Sequence, residues 1–371
     1  MTWIKTASEL ESLVRTLSSC RTIGLDTESD SLYHHKDKVC LVQIATDSGE
    51  AYLVDSLAVD LRPIGPAMAD PGLVKVLHGA DYDVTTLKRD FGFSFTSLFD
   101  TMLAARLLGR TELGLVAVAR EELGVTLSKT NQKDDWSRRP LTPQQEAYAL
   151  ADVTHLVALR ERLEALLVAA GRLEWLREEC DAVAALEPLV RRRDPDAYLS
   201  VKGARRLAPR ALATLRELHG WRERRAEETD TPAFKILGNE SLLKLAELAP
   251  ADEAGLRGVP GVLPRLGRQA GEILAAVRRA RALPDEALPV LPRSVRPVVP
   301  DVQLRRVERL KAWRARKGRE LGLDVAVVLP QRLIDRLAEA APGDASALGR
   351  VEGLRRWRAS AFGAELLAAV S

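Results

Sequence analysis

The chain has 371 residues, too many for one ordinary core, and its 46% apolar and 29% charged residues are those of a soluble globular protein with two or three domains. No run approaches about eighteen uncharged apolar residues, and Met1-Thr2-Trp3-Ile4-Lys5-Thr6 lacks the basic-then-apolar order of a secretory signal, so neither a membrane span nor secretion is expected. Three widely spaced cysteines (Cys20, Cys40, Cys180) argue against a disulfide framework or a zinc site, and a reducing cytoplasm fits best.

The formal charge of +3 conceals two opposite halves. Residues 1–190 hold 20 Lys/Arg against 29 Asp/Glu, and residues 191–371 hold 35 against 23. An acidic part is thus joined to a basic part suited to a polyanion, although arginines on solvated helix faces would give the same count.

In chain order, apolar runs at 22–26, 39–46 and 51–54 predict three strands in a meander. A helix near 63–69 and a strand at 74–78 follow. Helices are then expected at about 83–91, 101–108 and 113–123, with a long one from 143 to about 170. Asp81 and Asp100 each precede a helical stretch and are candidate caps. The long helix has a clear start: Thr142 as cap, Pro143 at the first position and Gln145 as capping-box partner. This order predicts an α/β sheet with helices around it. Arg191-Arg192-Arg193-Asp194-Pro195-Asp196 reads as a linker, and helices alone follow it. Pro284, Pro289, Pro292, Pro297 and Pro300 exclude a continuous helix and predict a semi-rigid connector.

A repeat spans that connector. An offset of 92 residues aligns Trp221 with Trp313, Arg222 with Arg314, Leu237 with Leu329, Pro250 with Pro342 and Gly261 with Gly353. Paired Trp, Pro and Gly at one offset predict two copies of a helical module, each of about 75 residues. Trp221 and Trp313 are expected in the module cores. With no heptad or exposed apolar stripe, a monomer is expected.

Five side chains carry the expected chemistry. Asp26 and Glu28 are two apart on a predicted strand and share a face. Closely flanked by the apolar residues Ile23 and Leu25, such a pair repels itself unless cations bind it. Tyr148 and Asp152 are one helical turn apart, and Asp83 sits in a helix's first turn. Singly, each has an ordinary structural explanation. Jointly, hard oxygen ligands without a Cys or His cluster suit two Mg²⁺ or Mn²⁺ ions about 4 Å apart, the arrangement of a phosphodiester hydrolase. Tyr148 would either orient the attacking water or take its proton.

These residues resemble the DEDD exonuclease superfamily in its tyrosine-bearing (DEDDy) branch, and specifically the ribonuclease D group. The motifs are Asp26-x-Glu28, His78 with Asp83 ahead of Leu87, and Tyr148-x-x-x-Asp152, with similar stretches at Phe99-Asp100-Thr101 and from Lys129 through Trp136-Ser137-Arg138-Arg139-Pro140-Leu141. The repeated module resembles the HRDC domain, through Leu218, Trp221-Arg222, Pro232, Leu237 and Val259-Pro260-Gly261; its second copy has Glu352 where the first has Pro260. The resemblance implies a ribonuclease H-like (DnaQ-like) exonuclease domain with a mixed sheet over 1–180, a connecting segment at 181–207, all-α HRDC domains at 208–285 and 300–371, and a Pro-rich linker at 286–299.

It further implies that Asp26 bridges two metal ions, Glu28 and Asp152 complete the site of the ion that activates water, Asp83 holds the second, and Tyr148 positions the nucleophile. The implied activity is 3′→5′ exoribonuclease, releasing nucleoside 5′-monophosphates, with 3′ ends of tRNA precursors as substrates. A DNA-directed exonuclease of the same branch and a non-catalytic nucleic-acid-binding adaptor remain open. His78 either touches substrate or is structural. Lys133, Trp136 and Arg139 are expected along the substrate groove, Trp136 stacking on a base or packing in the core. Removal of residues 200–371 is expected to spare chemistry on short single strands.

Overall fold

Six strands form one mixed sheet in the order β1-β4-β3-β2-β5-β6. They are β1 (Thr2–Ile4), β2 (Thr22–Ser29), β3 (Val39–Thr46), β4 (Ala51–Val54), β5 (Val74–Leu77) and β6 (Leu98–Asp100). β2, β3 and β4 are the expected antiparallel meander, while β1 runs parallel to β4, and β5 and β6 continue parallel from β2. The computed structural model describes residues 1–128, 130–188, 194–259, 262, 269–291 and 299–371. Lys129, Arg191, Arg192, Arg193, Pro260, Gly261, Pro292 and Pro297 of the motifs above lie outside the described residues.

Around the sheet lie α1 (Ala7–Leu17), α2 (Gly65–Ala69), α3 (Asp81–Phe91), α4 (Thr101–Leu107), α5 (Leu115–Leu123), α6 (Pro143–Thr154), α7 (Leu156–Ala169) and α8 (Leu173–Ala184). Thr142 caps α6 in a complete capping box with Gln145. The expected single helix over 143–170 is two, broken at His155 (φ −101°, ψ −2°). Thr154 Oγ1 donates back to the Leu150 carbonyl at 2.6 Å, a local bond that competes with the helical ladder where α6 ends. Asp100 caps α4 as expected, accepting from Met102 N and Leu103 N. Asp81 does not cap: Ala80 takes that position, and Asp81 stands in the first turn of α3, where the dipole favours it.

The chain divides into two units. The first comprises Met1–Ser29, Val39–Leu189 and Pro297–Ser371, and the second Asp30–Lys38 and Val190–Arg296. The second unit holds the first module copy: α9 (Pro209–Glu228), α10 (Ala233–Ile236), α11 (Asn239–Leu248), α12 (Glu253–Arg257) and α13 (Ala270–Arg281). The other copy, α14 (Asp301–Leu321), α15 (Val325–Val328), α16 (Gln331–Ala340), α17 (Ala345–Gly349) and α18 (Arg356–Val370), belongs to the first unit.

The repeat is built on one interior plan. Trp221 and Trp313 are buried, and each indole N–H donates to a glutamate, Glu272 or Glu365, at 2.7 Å. Arg222 and Arg314 each donate to a carbonyl fifteen residues on, Leu237 or Leu329, at 3.1 Å. Both copies end their third helix on an alanine in the left-handed region, Ala249 (φ 41°) and Ala341 (φ 43°).

Within the first unit, the second copy shares a core with the catalytic fold: Leu310, Trp313, Leu333 and Phe362 lie in one buried cluster with Leu159, Leu163, Leu176 and Cys180. Trp175 stacks on Trp357 with ring centroids 4.3 Å apart. Glu179 accepts from Arg355, Arg358 and the Trp357 indole, and Arg172 donates to the carbonyls of Leu107 and Leu321. No helix among the described residues is long and apolar enough to cross a membrane.

Candidate active site

The site is set by how closely α6 and α7 approach β2. A Cβ on Gly24 would lie 2.8 Å from the Val153 carbonyl oxygen and 3.1 Å from Leu156 Cβ, so only glycine allows this contact. Alternation along β2 puts Asp26 and Glu28 on the face that Gly24 presents to those helices. Asp152, one residue before Val153, is thereby laid against them. Asp26, Glu28 and Asp152 each offer a carboxylate oxygen, and these lie within 4.8 Å of one another.

Asp83 borders this trio without being part of it. It is buried on α3, where Thr27 Oγ1 donates to its Oδ1. The turn before α3 is tied down by Asp100, which accepts from Gly79 N and Ala80 N at 3.0 and 2.9 Å while capping α4. Gly79 takes φ +77°, a conformation side chains resist. Tyr148, one turn before Asp152 on α6, hydrogen-bonds to its carboxylate.

The electrostatics follow from burial and crowding. Desolvation, then the neighbouring acids Asp83, Glu28 and Asp152, hold Asp26 well above the carboxylate range. Burial followed by Asp152, Asp83 and Asp134 pushes Glu28 up to about 9. Burial raises Asp83 and Asp152 to about 6 each, with hydrogen bonds from Thr27 and Tyr148 opposing it. Burial and the adjoining Asp152 raise the Tyr148 phenol. An all-oxygen, carboxylate-rich set that repels itself when ionised has the donor chemistry of a hard divalent cation site.

Three further residues join the site. Thr27 fixes Asp83, and the charge of Asp134 adds to the crowding that raises Glu28. Gln43 pairs with Asp26 across β2 and β3, fully buried, with both side-chain amide atoms lacking a hydrogen-bond partner among the described residues. Gln43 carried a readable signal, a polar residue inside the apolar run Val39-Cys40-Leu41-Val42-Gln43-Ile44. Thr27 and Asp134 carried none, since their partners are set by tertiary contact.

The expected groove residues divide. His78 Nδ1 bonds Thr101 Oγ1 at 2.8 Å, its buried Nε2 has no close hydrogen-bond partner among the described residues although the Leu113 backbone acts on the ring, and burial lowers its pKa. Lys133 is exposed on the segment between α5 and α6. Trp136 is 1% exposed, its ring 6.1 Å from that of Tyr148, so it supports the tyrosine from within the core. Arg139 spends all five N–H donors inside the protein: two on Asp55, and the others on the carbonyls of Cys40, Trp136 and Arg138. It braces the segment before α6 and has no donor left for a phosphate.

Residues 1–168 match the 3′-5′ exonuclease family, and residues 211–277 and 303–370 each match the HRDC domain. Fold and acid cluster together define a 3′–5′ exonuclease that carries two HRDC modules. A ribonuclease D of Gluconacetobacter diazotrophicus is 35% identical over 98% of this chain and 91% of its own. A solved structure from Bifidobacterium adolescentis covers 100% of this chain and 97% of its own, with TM-score 0.82 and 26% identity. That of Escherichia coli RNase D, described as an exoribonuclease involved in structured RNA processing, covers 99% and 98% with TM-score 0.70 and 25% identity. The chain belongs to the ribonuclease D family of 3′–5′ exoribonucleases.

Proposed function

We propose that the chain removes nucleotides from the 3′ end of RNA by divalent-cation-assisted hydrolysis, releasing nucleoside 5′-monophosphates, with 3′ ends of tRNA and other structured precursors among its substrates. The observation that carries this is the convergence of the Asp26, Glu28 and Asp152 carboxylates within 4.8 Å, with buried Asp83 beside them. Asp26, Glu28 and Asp152 would hold one such cation, and Asp83 together with Asp26 would hold a second. When bound, two such cations supply charge compensation for the phosphodiester and acidify the attacking water.

The chain's own groups do the positioning. Tyr148, fixed by its bond to Asp152 and backed by Trp136, directs its hydroxyl to the nucleophile; with its pKa raised by burial and then by the nearby acids, it keeps its proton and acts as a hydrogen-bond partner. Tyr82, next to Asp83 and 41% exposed, is placed to stack on a base. The basic HRDC half draws in the phosphate backbone, in a manner that salt weakens.

The test uses end-labelled RNA and DNA with Mg²⁺ or Mn²⁺, and with EDTA as control. Stepwise cation-dependent shortening of RNA from its 3′ end is expected. Asp26→Ala should lower the rate by at least about 10³-fold while leaving RNA affinity largely intact. Near-normal turnover in that variant would reject the metal assignment, and equal loss from DNA would redirect the substrate.

A further inference from the structure

A cavity of about 1030 Å³ lies wholly within the first unit, away from the acid trio. One wall is the end of α4 and the turn after it, around Leu103, Arg106 and Leu113; the other is the second module, from the end of α14 to the start of α16. The walls are held in place. Arg172 bridges the carbonyls of Leu107 and Leu321 at 2.7 and 2.9 Å, and Gly109 lies so near Gly322 that a Cβ would overlap its carbonyl oxygen. The cavity is therefore preformed.

Its charge is lopsided. Six arginines line it against two acids, Glu179 and Asp324, and both acids are already engaged. Glu179 accepts from Arg355, Arg358 and Trp357, and Asp324 caps α15 through Ala326 N. Arg110 is matched by Glu121 and Glu122. Arg319 and Arg332 are exposed and have no ion-pair partner among the described residues, while half-buried Arg106 lies close enough to Asp81 to favour its charged form. Beneath them the lining is apolar, with Leu107, Leu323, Val325 and Leu333. Unpaired guanidiniums above an aliphatic floor match a ligand with a phosphate at one end and a flat, weakly polar body at the other. Arginine grips phosphate in a bidentate fork and stacks on a base. The cavity also borders the catalytic neighbourhood: Leu113 lines it, and the Leu113 backbone acts on His78, which follows β5 in the turn leading to Asp83.

We propose that this cavity is a second nucleotide site, which takes a nucleoside phosphate with Arg106, Arg319 and Arg332 on the phosphate and the Leu/Val floor under the base. The inference rests on the RNA reading above for the source of its ligand. That source is either a nucleotide of an RNA strand away from its reacting end or a free nucleoside 5′-monophosphate.

The experiment uses the full chain in EDTA, which silences hydrolysis and cation-dependent binding at the acid cluster. Affinities are measured for AMP and UMP by calorimetry and for labelled RNAs of two lengths by anisotropy over a salt series. The variants are Arg319→Gln with Arg332→Gln, and Ala326→Trp, which obstructs the cavity from an exposed position; Arg15→Gln with Arg350→Gln is the charge-matched control. If mononucleotide binds and is weakened about tenfold or more by both cavity variants but not by the control, the site takes free nucleotide. If only the longer RNA weakens, and the arginine pair lowers the salt slope by roughly 1.4, it takes a strand. Affinities that do not move, or that fall equally in the control, overturn the proposal. Absence of RNA hydrolysis in the cation-loaded wild type would reject the RNA reading alone, and mononucleotide binding would still decide the cavity.

Discussion

Three half-buried carboxyls within reach of one another, with buried Asp83 beside them, are costly to ionise, and the cost has a sign in pH. Glu28 has a folded pKa of about 9 against 4.5 in a free chain, and Asp83 and Asp152 about 6 against 3.8. A raised carboxyl pKa means that the folded state holds its proton more tightly than the unfolded one. Stability is therefore highest below the unfolded values and is lost as pH rises, through about 6 for the two aspartates and on to about 9 for Glu28. In EDTA, Tm should fall between pH 6 and pH 9; Mg²⁺ or Mn²⁺ should restore it, most at the alkaline end, because a ligand of the folded state stabilises it. A Tm indifferent to cations at pH 8 would sink the metal reading. The acids were legible in the sequence because spacing on one strand and one helix already pairs them. Thr27 and Asp134 were not, since each acts on a residue brought to it only by folding.

At the scale of elements, the close approach of β2 to α6 and α7 controls the site. Gly24→Ala would place a methyl against the Val153 carbonyl, which cannot move without its helix. A destabilisation of about 1–3 kcal/mol is expected, together with a fall in kcat larger than any change in KM, because Asp152 moves with Val153. Unchanged kinetics would show that this contact does not set the carboxylate geometry. The left-handed alanines give an opposite prediction. Ala341→Gly should stabilise by up to about 1 kcal/mol, since glycine occupies that conformation without the Cβ penalty, and a lower Tm would refute it. The meander, and α6 with its capping box, could be read directly. β1 and β6 could not, being three residues each, too short to show alternation. α1 was readable, from the Thr6 to Glu9 capping box and the spacing of Leu10, Leu13 and Leu17, yet lies outside the elements expected from apolar runs.

Across the whole molecule, the duplicated module has two fates. The repeat was legible in paired Trp, Pro and Gly residues. Which copy joins the catalytic fold was not, because that depends on surface residues such as Arg355, Trp357 and Arg358 finding Trp175 and Glu179. The expectation that residues 200–371 can be removed without harm to the chemistry changes accordingly. Deleting 299–371 would uncover Trp175 and leave Glu178 and Glu179 without partners. Lower Tm, aggregation and loss of hydrolysis even on short strands are expected, and Trp357→Ala alone should cost about 3 kcal/mol or more. A truncated chain with unaltered Tm would show that this packing contributes nothing.

The stacked indoles of Trp175 and Trp357, tilted by 16°, give the chain a built-in optical gauge. Two chromophores that close couple their transitions, so near-ultraviolet circular dichroism should carry a band belonging to the pair. Loosening of that seam, by heat, salt or a bound transcript, would be visible in the unlabelled polypeptide before the helices melt.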